Sequence, residues 1–316
     1  MSAPRALWIT APGAAEIRDA SLGEGVALRM LWSGISRGTE RLVCRGAVPQ
    51  SEFERMRAPH QEGSFPFPVK YGYAAVARVE EGASAGQKVF ALFPHQTRFC
   101  LLPDQIVPLP EGLPPQRAVL AANMETALNI LWDSGAGAGD RITVMGAGVV
   151  GALVGFLCAR MPGCEVTLVD VDPARAELVR NLGCAFAEPT ALPPAQDVII
   201  NTSGSSSALT GAFEIAGPGA TVVEASWHGA ASVEIPLGGA FHSQRLRLVS
   251  SQVGALPPAR LPRWTYRRRL EKALELLLDE RVDLLISGES NFEDLPHVYA
   301  RVLEDPVTLC HRIRYD

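Results

Sequence analysis

Residues 140–158 read DRITVMGAGVVGALVGFLC, and this stretch decides the fold of the chain. The apolar run before the glycines predicts a buried strand, and the apolar run after them predicts a helix. Between the two, Gly146, Gly148 and Gly151 have the spacing G-x-G-x-x-G. At that spacing the first glycine permits a tight turn, the second lets the backbone approach a pyrophosphate, and the third lets the helix pack against the strand. Because the helix start also offers unpaired N–H groups and a positive dipole end, the stretch predicts a dinucleotide-binding turn.

The run that follows supports this prediction. EVTLVD ends at Asp170, about 20 residues beyond the last motif glycine, where a carboxylate can accept both ribose hydroxyls of NAD. An acid at this position disfavours the 2′-phosphate of NADP, so NAD is the expected cofactor. A second acid, Asp172, precedes Pro173 and fits a cap of the next turn better. The backbone predicted to hold the cofactor comprises Gly146, Gly148, Val149, Val150 and Gly151.

From about residue 139 to 255, apolar strand-like runs alternate with helical segments. This alternation predicts a parallel sheet covered by helices on both faces, with right-handed crossovers. Two later strand ends, INTSG and VEASWHG, should reach the crevice at the carboxyl ends of the strands, where ligands bind in such folds. The residues there that we expect to flank the cofactor are Ser203, Gly204, Ser226 and Trp227.

The segments before and after this region have a different pattern of apolar and polar residues. The first 110 or so residues consist of short alternating runs broken by Gly, Pro and Asp, which is typical of a β-rich domain, interrupted by a long irregular stretch at 45–68. The tail contains a helical segment and ends on the alternating run VTLCHRIRY, which predicts a strand that returns to the first domain. The predicted domains are therefore a β-rich substrate domain over 1–116, a dinucleotide-binding domain over 117–255, and a return to the substrate domain over 256–316.

Composition narrows the class of partner. A chain of 316 residues exceeds the usual size of one core, which favours two domains. The formal net charge of −5 favours neither nucleic acid nor an anionic membrane, so a small molecule is the expected partner. The N-terminus has no long apolar run, and a cytoplasmic protein is expected. Six cysteines form no CxxC pair, which argues against disulfides and a structural zinc knot.

The order of these parts resembles the medium-chain dehydrogenase/reductase superfamily, whose best-known branch is the zinc alcohol dehydrogenases. The resemblance implies an α/β fold, with a doubly wound parallel sheet (Rossmann) domain plus a β-rich, GroES-like catalytic domain. It also implies an NAD(H)-dependent oxidoreductase that transfers hydride between nicotinamide and an alcohol/carbonyl substrate in an interdomain cleft, and a homodimer.

The positions that match the zinc ligands of that superfamily carry other residues here. Where zinc members have cysteine in a turn resembling CGICGTD, SGISRGTE offers Ser36, and where they have the His and Glu of a GHE motif, KYGYAAV offers Tyr73 and Ala74. The third ligand position falls on Ala122 or Asn123. None of these is a good zinc ligand, so a zinc-free member is predicted. An improvised metal site that uses Glu40, Glu125 or His95 remains an alternative.

The stretch LWSGISRGTERL, residues 31–42, also resembles the bacteriochlorophyllide a dehydrogenases of the same superfamily, and this likeness is local. The KYGY stretch and the long insert depart from them. The substrate therefore stays open.

Without zinc, side-chain donors must point at the reacting oxygen. Tyr73 is the first candidate for proton donor, with Lys70 three positions earlier to lower its pKa, although Tyr73 could instead only line the site. Ser36 could hydrogen-bond the substrate oxygen or merely stabilise its turn.

Glu125 is the candidate base or relay. It lies on the predicted bridging helix in NMETALNIL, near Asn123, and its neighbour Thr126 is a candidate cofactor contact. Glu40 lies beside two arginines and is expected to form an ion pair that holds its turn. Two rival functions remain: a reductase of conjugated C=C bonds, as in quinone and enoyl reductases, and a non-catalytic NAD(H)-binding sensor.

Overall fold

The structure is a computed structural model that describes residues 3–315. Over this range the chain forms seventeen strands and eight α-helices. The strands are β1 (Arg5–Ala11), β2 (Ala14–Asp19), β3 (Val26–Ile35), β4 (Glu62–Gly63), β5 (Val69–Lys70), β6 (Ala75–Val79), β7 (Lys88–Ala91), β8 (Arg98–Leu101), β9 (Val107–Pro108), β10 (Arg141–Met145), β11 (Glu165–Val169), β12 (Ala185–Ala187), β13 (Gln196–Asn201), β14 (Ala216–Glu224), β15 (Arg247–Ser250), β16 (Ile286–Asn291) and β17 (Cys310–Arg314).

The helices are fewer and mostly short. The α-helices are α1 (Arg37–Cys44), α2 (Pro115–Ala118), α3 (Ala121–Ser134), α4 (Val149–Cys158), α5 (Arg175–Asn181), α6 (Ser206–Ile215), α7 (Tyr266–Leu276) and α8 (Leu295–Glu304). Short 3-10 turns cover Gln50–Glu52, Pro103–Gln105, Glu280–Leu285 and Phe292–Asp294, and a π-helical turn covers Leu237–Phe241.

The chain divides into two compact units. Asn123–Arg269 forms one unit, and the residues up to Ala122 together with those from Leu270 onward form the other. We call these the nucleotide unit and the β unit. The domain boundaries predicted from the sequence were placed at changes of composition, at 116/117 and 255/256. The compact units divide inside two helices, α3 and α7, where no change of composition marks the boundary.

The nucleotide unit contains a six-stranded sheet in the order β12-β11-β10-β13-β14-β15. All of its strand pairs are parallel. Because β10 comes first in the chain and lies in the middle, the strand order reverses at β10, which is the doubly wound arrangement. The central strand is buried from Ile142 to Met145, as expected for a sheet covered on both faces. The predicted Rossmann fold is confirmed.

The β unit contains two sheets. One has four strands in the order β2-β1-β5-β4, and the other has seven along the path β16-β17-β3-β6-β7-β9 together with β8, which pairs with β3. The last strand, β17, pairs antiparallel with β3, with His311 opposite Ile35. The final alternating run of the sequence does therefore return to a sheet formed early in the chain. It also places Tyr315, just after β17, near the end of β3.

All six cysteines carry free thiols, and four of them are buried. Burial raises the pKa of Cys158 and of Cys184 to about 12, so neither thiol forms appreciable thiolate near neutral pH.

Between residues 3 and 315, no helix combines the length and the apolar character needed to cross a membrane.

Candidate functional site

The glycine turn between β10 and α4 forms as the motif predicts. Gly146 has φ of +100°, a conformation that L side chains rarely adopt. A Cβ added at Gly146 would lie only 2.9 Å from the Cα of Ser203, so the turn also packs tightly against the end of β13. Glycine is therefore required here for both conformation and space.

The other two glycines differ in their surroundings. A Cβ at Gly151 would lie 1.9 Å from the carbonyl oxygen of Gly146 and 2.5 Å from Oγ1 of Thr202. By contrast, a Cβ at Gly148 would meet nothing within 4 Å. Gly148 is also the N-cap of α4 and supplies no side-chain acceptor for the N–H groups of the first turn. The turn is thus closed toward the sheet and open at Gly148, the position where the motif expects the ligand to approach.

Asp170 is joined directly to this turn. Its half-buried carboxylate accepts hydrogen bonds from the N–H of Ala147 at 2.7 Å and from the N–H of Asp172 at 3.0 Å. Asp172 in turn accepts from the N–H of Ala174 at 3.0 Å, which fits the capping role expected for it. Each Asp170 oxygen still has a second lone pair, so the carboxylate can accept further hydrogen bonds beside the glycine turn.

The ends of β13 and β14 are tied together by two residues that sequence reasoning missed. Asn201 donates to Glu224 at 2.6 Å, and Glu224 also accepts from the N–H of Ser226 at 2.7 Å. Ser203 donates to Asn201 at 2.6 Å, and Ser226 accepts from the N–H of Gly204 at 2.9 Å. The predicted loop residues are therefore brought together by a polar residue at the end of each apolar strand. In the sequence, the polar residue that ends each apolar strand, Asn201 in INTSG and Glu224 in VEAS, was the signal that could have revealed this contact.

Two further predicted contacts are half-buried. Trp227 directly follows Ser226 beyond the end of β14, and Thr126 lies in α3. Both therefore keep part of their surface accessible.

The candidate base Glu125 is held in an ion pair. Its carboxylate accepts from Nε of Arg269 at 3.0 Å, and both side chains are nearly fully buried. Arg269 also donates to Oδ1 of Asn129 at 2.5 Å and to the carbonyl of Val253 at 2.6 Å. Burial raises the pKa of Glu125, while the charge and hydrogen bond of Arg269 oppose this effect. Arg269, in the first turn of α7, is itself buried.

In the β unit, the stretch SGISRGTE is a strand end followed by a helix. Ser33, Gly34 and Ile35 close β3, Ser36 is the N-cap of α1, and the helix starts at Arg37. The side chains of Ser36 and Thr39 are hydrogen-bonded to the phenol of Tyr73. The structure therefore brings together Ser36 and Tyr73, which are distant in sequence.

The pKa of Tyr73 moves opposite to the sequence expectation. Burial raises it to about 12, while the hydrogen bonds from Ser36 and Thr39 lower it and the charge of Glu40 adds to the rise. The hydroxyls of Ser36 and Thr39 therefore both contact the phenol oxygen of Tyr73.

Lys70 does not form the predicted pair with Tyr73. Its buried ammonium donates to the carboxylate of Glu62 and, at 2.8 Å, to the side-chain oxygen of Gln96. Burial lowers the pKa of Lys70, and Glu62 opposes that shift. Lys70 ends β5, Gly72 has φ of +116°, and Tyr73 lies outside any strand, so no regular extended chain relates the two side chains.

Glu40 is fully buried, and its place corrects the predicted surface ion pair. One carboxylate oxygen accepts from the N–H of Ser36 at 2.7 Å. The other accepts from the phenol of Tyr299 at 2.7 Å and lies 3.0 Å from Nε2 of His95. Arg37, one of the two arginines expected to pair with Glu40, donates to the carbonyl of Leu303 instead.

Beyond His95 the buried polar contacts continue. Nδ1 of His95 lies 2.7 Å from Oγ of Ser33, which lies 2.9 Å from the phenol oxygen of Tyr315. Sequence reasoning missed Ser33, Tyr299 and Tyr315, because their partners come from distant segments of the chain. No local signal marks them.

Among positions 3–315, no group of three or more His, Cys, Asp or Glu side chains is arranged to hold a metal ion. Of the residues in the alternative metal site, Glu40 and His95 are in contact in the β unit, whereas Glu125 is paired with Arg269 in the nucleotide unit.

The architecture is that of solved dehydrogenases. An alcohol dehydrogenase from Escherichia coli CFT073, solved with NADH, aligns with a TM-score of 0.78 at 16% identity, over 99% of this chain and 100% of that chain. An oxidoreductase from Salmonella enterica, solved with NADP, aligns with a TM-score of 0.72 at 18% identity, over 99% of this chain and 100% of that chain. At these identities the likeness shows the fold.

A curated relative is similar in sequence. D-guloside 3-dehydrogenase from Escherichia coli K12 is 26% identical over 210 residues, which cover 62% of this chain and 60% of the relative. The match thus spans about three-fifths of the relative's length. No family model matches the chain.

Proposed function

We propose that the chain is a zinc-independent, NAD(H)-dependent oxidoreductase that transfers hydride between nicotinamide and an alcohol/carbonyl substrate. The observation that carries the proposal is the glycine turn, which is closed at Gly146 and Gly151, open at Gly148 and joined to the carboxylate of Asp170. The dehydrogenase fold and the dehydrogenase relative support it. The resemblance to the medium-chain superfamily implies that the transfer takes place in an interdomain cleft.

The turn fits a dinucleotide in shape and charge. The backbone from Gly146 to Gly151 and the start of α4 would hold the pyrophosphate, and Asp170 would accept the ribose hydroxyls through its remaining lone pairs. The fold accommodates NADH in one solved structure and NADP in another, so the preference for NAD rests on Asp170. The residues proposed to flank the rest of the cofactor are Thr126, Ser203, Gly204, Ser226 and Trp227.

The β unit would supply the group that acts on the substrate oxygen. A bound nicotinamide would accept or deliver the hydride at its ring. With a pKa of about 12, the phenol of Tyr73 stays protonated near neutral pH and can donate a hydrogen bond to a carbonyl or alkoxide oxygen. Donation to this oxygen stabilises the charge that a metal ion would otherwise stabilise. In reduction Tyr73 would give its proton to the oxygen as hydride adds to the carbonyl carbon, and in oxidation the proton of the alcohol would leave to solvent, because the protonated phenol cannot accept it. Ser36 and Thr39 would orient the phenol through their hydrogen bonds to it.

Two of the candidates become less suitable as catalytic groups. Glu125 is occupied by Arg269, so it is not a free base, and Lys70 is bonded to Glu62 and Gln96 rather than to Tyr73. The proposed chemistry therefore centres on Tyr73 and Ser36.

The decisive test is turnover with a defined panel. The purified protein is assayed with NAD and NADP against glycosides, sugar alcohols and simple secondary alcohols, and with NADH against aldehydes, ketones and enones. Glycosides come first because the curated relative is a guloside dehydrogenase. We expect NAD-dependent oxidation of at least one alcohol. Activity confined to enones would favour the C=C reductase, and cofactor binding without turnover on the whole panel would favour the sensor.

Zinc independence and assembly need separate measurements. Elemental analysis that finds one zinc per chain, together with loss of activity on chelation, would contradict the zinc-free proposal. The homodimer and the cytoplasmic location remain predictions from the family resemblance and the composition. Sedimentation equilibrium would test the homodimer.

A further inference from the structure

Five buried side chains in the β unit form a connected set that the proposed reaction does not use directly. We call the set the Glu40 network, and its members are Ser33, Glu40, His95, Tyr299 and Tyr315. Ser33, His95 and Glu40 lie in the order serine, histidine, acid, with contacts of 2.7 Å and 3.0 Å. Ser33 is fully buried and also contacts Tyr315, so no substrate can reach it as it would reach a catalytic nucleophile. The network must have another role.

The contacts of the network run from one side chain to the next. Tyr299 donates to Glu40, and Nε2 of His95 contacts the same carboxylate oxygen. Nδ1 of His95 contacts Ser33, and Ser33 contacts Tyr315. Burial raises the pKa of both Tyr299 and Tyr315, which keeps the two phenols protonated as donors. Each member of the network therefore has a polar partner within 3.0 Å.

Glu40 links this network to the candidate proton donor. Its second oxygen accepts the N–H of Ser36, the N-cap of α1. The same first turn carries Thr39, and the side chains of Ser36 and Thr39 both hydrogen-bond to Tyr73. The first turn of α1 therefore contacts Tyr73 through the hydroxyls of Ser36 and Thr39. The same turn belongs to the Glu40 network through the carboxylate of Glu40. Because the link runs through a backbone N–H, it holds geometry rather than passing a proton.

We propose that the Glu40 network is a positioning device: it holds the first turn of α1 so that Ser36 and Thr39 fix the phenol of Tyr73 for donation to the substrate. The inference rests on the proposed function for its catalytic consequence. Glu40 receives donors from α1, from the loop that carries His95, and from α8. Three donors from separate parts of the chain define the position of the carboxylate, and a fully satisfied buried network of this kind specifies one arrangement. Glu40 is accordingly a positioning residue for Tyr73.

The test compares Glu40→Gln with Glu16→Gln. Glu16 is an exposed acid of β2 that pairs with Arg18, so Glu16→Gln changes the same group without touching the network. A glutamine at position 40 presents an NH₂ group to donors and breaks the arrangement. For Glu40→Gln we expect kcat to fall about 10²-fold, as for a displaced catalytic group, with the Kd for NADH changed less than twofold. Glu16→Gln should change neither.

A second readout needs no turnover. Fluorotyrosine is incorporated at the five tyrosines, and the ¹⁹F resonance of Tyr73 is identified by its loss in Tyr73→Phe. In Glu40→Gln we expect that resonance to shift or split, and in Glu16→Gln to stay in place. An unchanged Tyr73 resonance together with unchanged kcat in folded Glu40→Gln would overturn the inference. If the wild type binds NADH but turns nothing over, the proposed function fails, while the resonance still decides the positioning role.

A matched pair of milder variants covers the case in which Glu40→Gln does not fold. Tyr299→Phe and Tyr315→Phe each remove one buried hydroxyl, but only Tyr299 donates to Glu40. We expect Tyr299→Phe to move the Tyr73 resonance and lower kcat more than Tyr315→Phe does. Equal or absent effects of the two variants would overturn the inference, because they would show that the contact with Glu40 has no special consequence for Tyr73.

Discussion

The glycine turn and the Glu40 network are two solutions to the problem of fixing a site. The turn lies within a few residues of one stretch, from Met145 to Gly151, and works through backbone shape. The network draws its members from positions 33 to 315 and works through side-chain hydrogen bonds. A site of the first kind depends on clearance between backbones. A site of the second kind depends on every donor finding its acceptor.

This difference determines how each region fails. Adding atoms to the glycine turn blocks a ligand or breaks packing, because the space is defined by the main chain. Removing a partner from a buried polar network leaves a donor or acceptor unsatisfied, which costs about 1–3 kcal/mol per group. The turn should thus be sensitive to added volume, and the side-chain network to lost polarity.

The largest effect is expected from Gly148→Val in the glycine turn. Gly148 has φ of −72°, which valine can adopt, and a Cβ there meets nothing in the protein, so the fold should persist. The added side chain occupies the approach of the pyrophosphate, and the Kd for NADH should rise at least about 10³-fold, or about 4 kcal/mol. Isothermal titration calorimetry measures the Kd.

Gly151→Ala supplies the matched control for that prediction. Its Cβ would clash with the carbonyl of Gly146, so this variant should lower the melting temperature as well as the affinity. If Gly148→Val binds NADH with unchanged affinity, the turn is not the cofactor site and the proposed function loses its support.

The contrast also explains what the sequence could reveal. The glycine motif, Asp170 and the alternation of strands and helices are local patterns, so the doubly wound sheet and the place of the turn could be predicted. The partners of Asp170 and the tie between Asn201 and Glu224 also lie at strand ends near that turn. These contacts could also have been predicted, because a polar residue that ends an apolar strand is visible in the sequence.

The second prediction concerns Glu125, whose carboxylate forms a buried ion pair with Arg269. Glu125→Ala leaves the guanidinium of Arg269 buried without its counter-charge, and breaking such a pair is strongly destabilising. We expect a loss of about 3 kcal/mol in the free energy of unfolding, at the lower end for buried pairs because Arg269 keeps its bonds to Asn129 and Val253.

Urea denaturation measures this loss, with Glu165→Ala, at an exposed acid of β11, as the control. The control should stay within about 0.5 kcal/mol of the wild type. A Glu125→Ala variant with normal stability but no turnover would restore Glu125 as a candidate base, and would place functional chemistry in a side chain of the nucleotide unit.

The third prediction tests whether the β unit contributes chemistry. Tyr73→Phe removes the proposed donor and keeps the ring, so kcat should fall about 10²-fold, while the Kd for NADH should stay within twofold. Stopped-flow measurement of the hydride step gives the comparison. Tyr266→Phe, at an exposed tyrosine, is the control and should keep wild-type kcat. Full activity in Tyr73→Phe would mean that Tyr73 only lines the site.

The remaining sequence predictions fell short in the β unit for a physical reason. The short distance between Lys70 and Tyr73 in sequence suggested a pair, but the chain is not extended between them, and Lys70 is bonded to Gln96 from a distant segment instead. Glu40 seemed paired with its sequence neighbours, yet its partners come from the His95 loop and α8. Contacts between distant segments depend on topology and register, which a local pattern does not encode.

The smallest expected effect is a dependence on pH that distinguishes side-chain charges from backbone shape. Glu80 in the β unit is partly buried, which would raise its pKa, but hydrogen bonds from Arg98 and Arg29 outweigh this and lower it below 4.5. A carboxyl with a depressed pKa in the folded state stabilises the fold above its unfolded value, and this contribution is lost as the pH falls through the folded pKa. Glu80→Gln should therefore be less stable than the wild type by about 1 kcal/mol at pH 7, with the difference shrinking below about pH 4.5.

Glu125 in the nucleotide unit should show the opposite sign, because burial raises its pKa and its contribution to stability falls as the pH rises above its unfolded value. Urea denaturation of Glu80→Gln, Glu125→Gln and the wild type over a series of pH values measures both slopes. The affinity of the glycine turn for NADH, measured on Glu80→Gln at pH 7, should match that of the wild type, since Glu80 pairs with Arg29 and Arg98 in the β unit and not with the turn. A stability difference for Glu80→Gln that persists unchanged into acid would contradict this prediction. It would show that Glu80 stabilises the β unit through the geometry of its contacts with Arg29 and Arg98 rather than through its charge, much as backbone geometry defines the glycine turn.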